Sequence, residues 1–283
     1  MSILNHIKNF NVRRANRRVS DDSALVRSNT LLTDCTDFVT KEAYKTARTN
    51  IRFSLSGSKG GKKIIVTSAS PGEGKTTTCL NLAIAFAQTD AKVLVIDADL
   101  RKPRIYRHLS IERENGLSDL LCGLIETKDA IKHCERHNLD CITSGQIPPN
   151  PAELLSSKEM DQLFEELSAS YDYIFVDTPP VTVVTEAAAM AKNANGVIVV
   201  IRQNSTIHES IERALANLKM ADAKILGYIL NGVDHSAYGY KTYNHKYKQY
   251  GYRYGYGYGD KSYSYGDKET KKKVSTAKHA KKK

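Results

Sequence analysis

The stretch IIVTSASPGEGKTTTCLNLAIAFAQ, residues 64–88, decides the fold. It opens on a β-branched apolar run, IIVTS (64–68), and passes through Ser, Pro and Gly. It then enters a helical stretch, TTTCLNLAIAFAQ (76–88). Strand, glycine turn and helix in that order form a phosphate-binding loop. The glycines let the backbone approach an anion closely. Successive N–H groups point inward, and the helix N-terminus adds partial positive charge. Pro71, Gly72, Glu73, Gly74, Lys75, Thr76 and Thr77 are the candidate cradle. Lys75 is placed to reach the β- and γ-phosphates of ATP, and Thr76 to offer its hydroxyl to Mg²⁺. The usual pattern begins with Gly; here Ala69 stands in that place.

Outward from this loop, short apolar runs alternate with helical stretches as far as Val233. VLVID (93–97), YIFVD (173–177), VIVVI (197–201) and ILGYIL (225–230) read as buried strands, and LDCIT (139–143) as a weaker one. KEMDQLFEELSAS (158–170), EAAAMAKNA (186–194) and ESIERALANLKMA (209–221) read as helices. The alternation predicts an α/β P-loop NTPase fold, a parallel sheet with helices on both faces. Ligands of such sheets bind at the carboxyl ends of the strands. VLVIDADLRKP ends a strand on Asp97 and Asp99, and YDYIFVDTPP ends another on Asp177. These carboxylates belong on the rim that carries the loop, where Mg²⁺ finds hard oxygen ligands. Spacing alone does not settle which of them binds the metal.

The net charge of +11 is unevenly spread. Residues 1–20 carry five basic and no acidic residues, and residues 236–283 carry thirteen basic and three acidic. The stretch between has 24 basic and 28 acidic residues, so a mildly acidic body has two basic ends. Such ends are either simply solvated or contact an anionic surface. The first residues have a basic patch but no following apolar run, which argues against a signal peptide. No apolar run approaches the roughly 20 residues of a membrane span. Five cysteines are scattered without metal-ligand spacing and read as reduced thiols. The eight histidines show no metal spacing either.

Four segments follow from these shifts. Residues 1–36 form a basic arm, and 37–235 a P-loop domain that opens with a helix over 37–55. Residues 236–267 are a tyrosine-rich tail and 268–283 a lysine-rich one, both expected to be disordered. Eleven of the sixteen tyrosines lie in the tail: Tyr238, Tyr240, Tyr243, Tyr247, Tyr250, Tyr252, Tyr254, Tyr256, Tyr258, Tyr263 and Tyr265.

The combination of SASPGEGKTT (68–77), VLVIDADLRKP (93–103), GLSDLL (116–121), TSGQIPPNPAELLSS (143–157), YDYIFVDTPPV (171–181) and the tyrosine-rich end resembles one family. It is that of the bacterial tyrosine kinases of capsule and exopolysaccharide loci, in their stand-alone cytoplasmic Gram-positive form. The likeness covers roughly residues 37–265. It implies an ATP- and Mg²⁺-dependent protein-tyrosine kinase that autophosphorylates its tail tyrosines and regulates polysaccharide synthesis and export. It implies catalytic roles for Lys75, Asp97 and Asp99, with Asp97 as the base that polarises the tyrosine hydroxyl. Thr76, Asp99 and Asp177 would hold Mg²⁺. Asn231 would touch the adenine edge by likeness to related ATPases, or serve as a turn residue before Gly232. Arg101 and Arg104 would contact phosphate or a neighbouring subunit, or form a surface charge run.

The family's Glu-x2-Arg-x2-Arg helix matches Glu42, Lys45 and Arg48, with Lys in place of the first Arg. It implies a homo-oligomeric ring in which one subunit's tail enters its neighbour's site. The implied partners are a membrane-embedded polysaccharide co-polymerase or modulator and a cognate tyrosine phosphatase. The implied location is the cytoplasm, at the inner face of the membrane through that partner, with the basic ends able to add peripheral membrane contact. No nucleic acid is expected. The alternative is a partition- or division-type ATPase switch that binds DNA or membrane. Such switches carry a lysine five residues before the loop lysine, and Ser70 occupies that place. A non-enzymatic scaffold is a third reading, opposed by the intact Lys75, Thr76 and three aspartates.

Overall fold

A computed structural model describes residues 30–233. The chain divides into two units, Met1–Val233 and Asp234–Lys283. The tyrosine- and lysine-rich tails and most of the basic arm lie outside the described residues.

The described strands are β1 (Lys62–Ser68), β2 (Val93–Asp97), β3 (Ile131–Cys134), β4 (Leu139–Ile142), β5 (Tyr173–Asp177), β6 (Gly196–Arg202) and β7 (Ile225–Asn231). They form one sheet in the order β3-β4-β2-β5-β1-β6-β7. Every pairing is parallel except β3 with β4. The antiparallel edge strand β3 adds to the parallel sheet that the alternation predicts. Its sequence, IKHC, is too short and too polar to announce a strand, and β4 supplies its pairing.

The longer described helices are α1 (Phe38–Ser54), α2 (Lys75–Ala87), α7 (Lys158–Ser170) and α9 (His208–Met220). Shorter ones are α3 (Ile105–Leu109), α4 (Leu117–Leu121), α5 (Thr127–Ala130), α6 (Pro151–Leu155) and α8 (Glu186–Ala191). The helix expected over 186–194 thus stops three residues early, and α3 to α6 lie where no element was foreseen.

Continuous apolar strands require two covered faces. Ile65, Leu94, Ile96, Ile174, Val176, Val197 and Val199 share one core with Phe164, Leu167, Ala187 and Leu218 of α7, α8 and α9. Ile64, Val66, Val93, Val95, Phe175, Ile198 and Val200 share the other with α1, α2 and α3. The alternation along each strand sends successive side chains to opposite cores. Phe86 anchors the second core, its ring 4.4 Å from Tyr173 and 5.2 Å from Phe175.

Helix α2 is buried on nearly its whole circumference, from Thr76 to Ala87. A helix apolar all round must be covered on both sides. The sheet covers one side, while α1 and the segment around Leu31 and Leu32 cover the other. Asp37 caps α1 by accepting from the Thr40 amide at 2.9 Å. Asn81, buried in the middle of α2, accepts from Leu32 N at 2.8 Å and donates to Thr30 O at 3.1 Å. Its amide also reaches the Tyr44 hydroxyl at 3.2 Å. Packing therefore reaches back to residue 31, into the stretch read as a basic arm.

Candidate active site

The carboxyl ends of β1, β2 and β5 meet where parallel strands place a ligand. The phosphate loop follows β1. Gly74, the residue before α2, has φ +90°, and a Cβ there would lie 2.1 Å from Asn231 Nδ2. Only glycine fits that backbone and that approach. Ser70 N donates to Glu73 Oε2 at 3.0 Å, and the Thr206 hydroxyl donates to Glu73 Oε1. The Glu73 carboxylate is thus engaged within the protein, and the residue's place in the cradle is through its backbone. Asn231 Nδ2 donates to Glu73 O at 3.0 Å, and Asn231 Oδ1 accepts from Gly232 N at 2.8 Å. The Nδ2 end of its amide thus holds the loop, and the Oδ1 end makes the turn contact to Gly232. Ala69 is fully buried and its carbonyl accepts from the Thr182 hydroxyl. A glycine is not required there.

Lys75 lies among the strand-end aspartates. Its Nζ is 2.7 Å from Asp99 Oδ2 and 3.8 Å from Asp177 Oδ1. Burial works against its charge, but Asp177 and Asp99 outweigh that and hold its pKa above the ordinary lysine value. Asp99 Oδ1 also accepts from Lys102 N at 3.0 Å. Asp97 is fully buried; its Oδ2 accepts from Arg104 N at 3.1 Å and Ile105 N at 3.0 Å. Its Oδ1 has no hydrogen-bond partner. Burial, and then the Asp177 charge, push the Asp97 carboxyl up to about 8. Burial raises Asp177 to about 6, with Lys75 opposing.

The end of β2 separates Asp97 from Asp99. Asp97 is the last residue of β2 and sits behind the cleft, while Asp99 lies beyond the strand and lines it. Both oxygens of Asp177 are buried without a hydrogen-bond partner. Lys75 offsets their charge from 3.8 Å, but buried carboxylate oxygens without a hydrogen bond favour a further ligand. Beside the Thr76 hydroxyl and Asp99 they fit a hard cation that shares its shell with phosphate and water. Among the described residues no three His, Cys, Asp or Glu side chains form a ready metal cage. Mg²⁺ does not need one, because it uses one or two carboxylates.

The cleft has a volume of ≈ 270 Å³. Gly72, Gly74, Lys75 and Thr76 form its floor side, and Arg101, Lys102 and Arg104 its basic mouth. Pro179, Pro180 and Val183 complete it from the β5–α8 loop. That wall, and the buried Glu186 that pairs with Arg101 at 2.8 Å, were not singled out in the sequence. The only sequence signals were the TPP run after β5 and one acidic residue opening an alanine-rich helix. Far from the cleft, Glu42 and Lys45 pair with each other at 2.7 Å on α1. Arg48 does not join them at the surface: its guanidinium donates to the Ala85 carbonyl of α2.

A mostly parallel sheet whose β1 runs into a glycine loop and a buried helix, with carboxylates at two neighbouring strand ends, defines a P-loop nucleotide-binding protein. A model of the AAA-domain family matches residues 61–227, more than half of the chain. The chain is 45% identical over 202 residues to the tyrosine-protein kinase YwqD of Bacillus subtilis, covering 70% of this chain and 85% of that protein. It is 37% identical over 192 residues to the tyrosine-protein kinase etk of Escherichia coli, covering 68% of this chain but 26% of that longer protein. The solved kinase domain of that enzyme superposes with a TM-score of 0.66 at 34% identity, covering 80% of each chain. The chain belongs to the bacterial tyrosine-protein kinase family. Its enzyme class is that of the protein-tyrosine kinases.

Proposed function

We propose that the chain transfers the γ-phosphate of ATP to the tyrosines of its own C-terminal segment, Tyr238 to Tyr265, and thereby regulates capsular or exopolysaccharide synthesis and export. The observation that carries this reading is the cleft in which the phosphate-loop lysine, Lys75, sits between Asp99 and Asp177 beneath a basic mouth. Phosphoryl transfer asks mainly for positioning and for charge stabilisation. Backbone N–H groups of residues 72–77 bind the phosphates. Entry of the triphosphate draws Lys75 from Asp99 to the β- and γ-oxygens, which frees the Asp99 carboxylate. Mg²⁺, held by Thr76, Asp99 and Asp177, would neutralise charge on the phosphates. The same reading gives Asp97 the role of base toward the acceptor hydroxyl through Oδ1, the oxygen that its loop contacts leave unused, and requires the loop after β2 to shift, because Asp97 lies behind the cleft.

The same reading includes assembly into a ring through the outer face of α1, where Glu42, Lys45 and Arg52 are the charged groups available. It also includes a membrane-embedded modulator and a phosphatase as partners. Among the described residues no helix is long and apolar enough to cross a membrane. The test is phosphotyrosine by mass spectrometry after incubation with Mg-ATP, comparing the full chain, Lys75→Met and a chain ending at residue 235. Phosphate on tail tyrosines that disappears with Lys75→Met is the expected result. ATP hydrolysis without phosphotyrosine would replace the reading with that of an ATPase switch.

A further inference from the structure

Arg101 and Glu186 make an ion pair that the scheme above leaves unused. Glu186 opens α8 and is 1% exposed. Its Oε1 accepts from Arg101 Nε at 2.8 Å, and its Oε2 is buried with no hydrogen-bond partner. A carboxylate that deep is costly unless paired. Arg101 supplies that pairing, yet its own side chain is 48% exposed and lines the cleft with Lys75 and Asp99. Only Nε is engaged; the terminal guanidinium nitrogens have no partner among the described residues. The guanidinium is a rigid plane, so fixing its Nε edge also sets the direction of the free fork.

Glu186 is itself tied to the phosphate loop. The segment leading to it is strapped to β1 and the residue after it. The Thr67 hydroxyl donates to Pro179 O at 2.8 Å, Val181 N donates to Ser68 O at 3.1 Å, and the Thr182 hydroxyl donates to Ala69 O. Arg101 comes from the other wall, two residues after the Asp99 that holds Lys75. The ion pair therefore joins the loops after β2 and β5 across the mouth of the cleft, in register with the phosphate loop.

We infer that Glu186 is a positioning residue. By gripping Arg101 through Nε it turns the free guanidinium fork onto the cleft, where the fork takes the oxygens of the phosphoryl group in transfer. The inference rests on the kinase reading for the identity of the acceptor. A carboxylate that merely joined two loops through Arg101 would act on stability and nucleotide affinity and leave kcat in place. A positioning carboxylate acts on kcat, and only while Arg101 is present.

A double-mutant cycle separates the two. Glu186→Gln, Arg101→Ala and the double variant are made in the full chain. Phosphotyrosine formation, ATP hydrolysis and affinity for a non-hydrolysable ATP analogue are measured on each. Each single variant is expected to lose roughly ten- to a hundredfold in kcat. KM for ATP should move by less than about threefold. The double variant should be no slower than Arg101→Ala alone. Losses that multiply in the double variant, or an unchanged kcat in Glu186→Gln, overturn the inference. Should Glu186→Gln fail to fold, Glu186→Asp keeps the charge but withdraws it, and an intermediate kcat that vanishes as an effect in the Arg101→Ala background is expected. If the wild type hydrolyses ATP without forming phosphotyrosine, the acceptor assignment fails, while the same cycle read in hydrolysis still decides the role of Glu186.

Discussion

At Gly74 two constraints coincide: a left-handed φ and the amide of Asn231 where a side chain would begin. Neither can relax alone, because Asn231 is held by Glu73 O and Gly232 N. Gly74→Ala is expected to cost about 1–3 kcal/mol and to weaken nucleotide binding. A thermal melt and a nucleotide titration check this, and unchanged values in both would show that the loop absorbs the methyl group. The buried aspartates impose a second residue-scale property. Asp97 binds a proton up to about pH 8 in the folded protein but has an ordinary value of 3.8. Asp177 is shifted the same way, to about 6. The folded state then holds protons that the unfolded state has released, so stability falls as pH rises. Metal-free protein is expected to lose stability between about pH 4 and pH 8, with most of the change above pH 6 due to Asp97. The stabilisation conferred by Mg²⁺ should grow over the same range, because the metal competes with those protons. Denaturant melts across pH, with and without Mg²⁺, measure both slopes. A rising slope in metal-free protein would contradict the carboxylate environment described here.

Helix α2 is the element on which the rest depends. It carries Lys75 and Thr76 at its start and is sheathed by the sheet, α1 and the Leu31–Leu32 segment. Asn81 joins these parts, since one side chain serves Leu32 N, Thr30 O and the Tyr44 hydroxyl. Asn81→Ala leaves the Leu32 amide without its acceptor and is expected to destabilise by about 1–3 kcal/mol. Hydrogen exchange at Leu32 should speed up well before exchange in β1 does. Equal acceleration in both would mean that the segment does not open separately. The second element-scale device is the meeting of GLSDLL with TSGQ. Leu117 N and Ser118 N donate to Thr143 O and Ser144 O at 2.7 and 3.0 Å, and the Ser118 hydroxyl to Gln146 O at 2.6 Å. Two motifs recognisable in the sequence are one structural unit beside β4.

For the molecule as a whole, charge is the distinguishing feature. A body with an excess of acidic residues is bounded by basic ends. The full chain is expected to bind vesicles containing anionic phospholipid at about 0.01 M salt and to lose most of that binding by about 0.15 M, where the Debye length falls from about 30 to 8 Å. A chain limited to residues 30–235 should not bind. Retained binding by that chain would move the membrane contact onto the body. Phosphorylation of the tail adds about −1.5 to −2 charges per tyrosine, so the phosphorylated full chain should release the vesicles as well.

The sequence by itself determined the sheet's central strands and the phosphate loop. Buried parallel strands leave unbroken β-branched runs, and an anion cradle leaves glycines ahead of Lys and Thr at fixed spacing. It also marked Asp97, Asp99 and Asp177, because a carboxylate after an apolar run must lie at a strand end. It could not order those carboxylates, since depth behind the cleft depends on how β2 hands over to the loop before α3. It did not reveal β3, whose polar four residues become a strand only through pairing with β4. Nor did it show that Arg48 turns inward to α2 or that Asn231 braces the phosphate loop. Glu186 was the least legible residue of all. Its meaning comes from Arg101, 85 residues away in the chain, and a contact at that distance leaves no local periodicity to read.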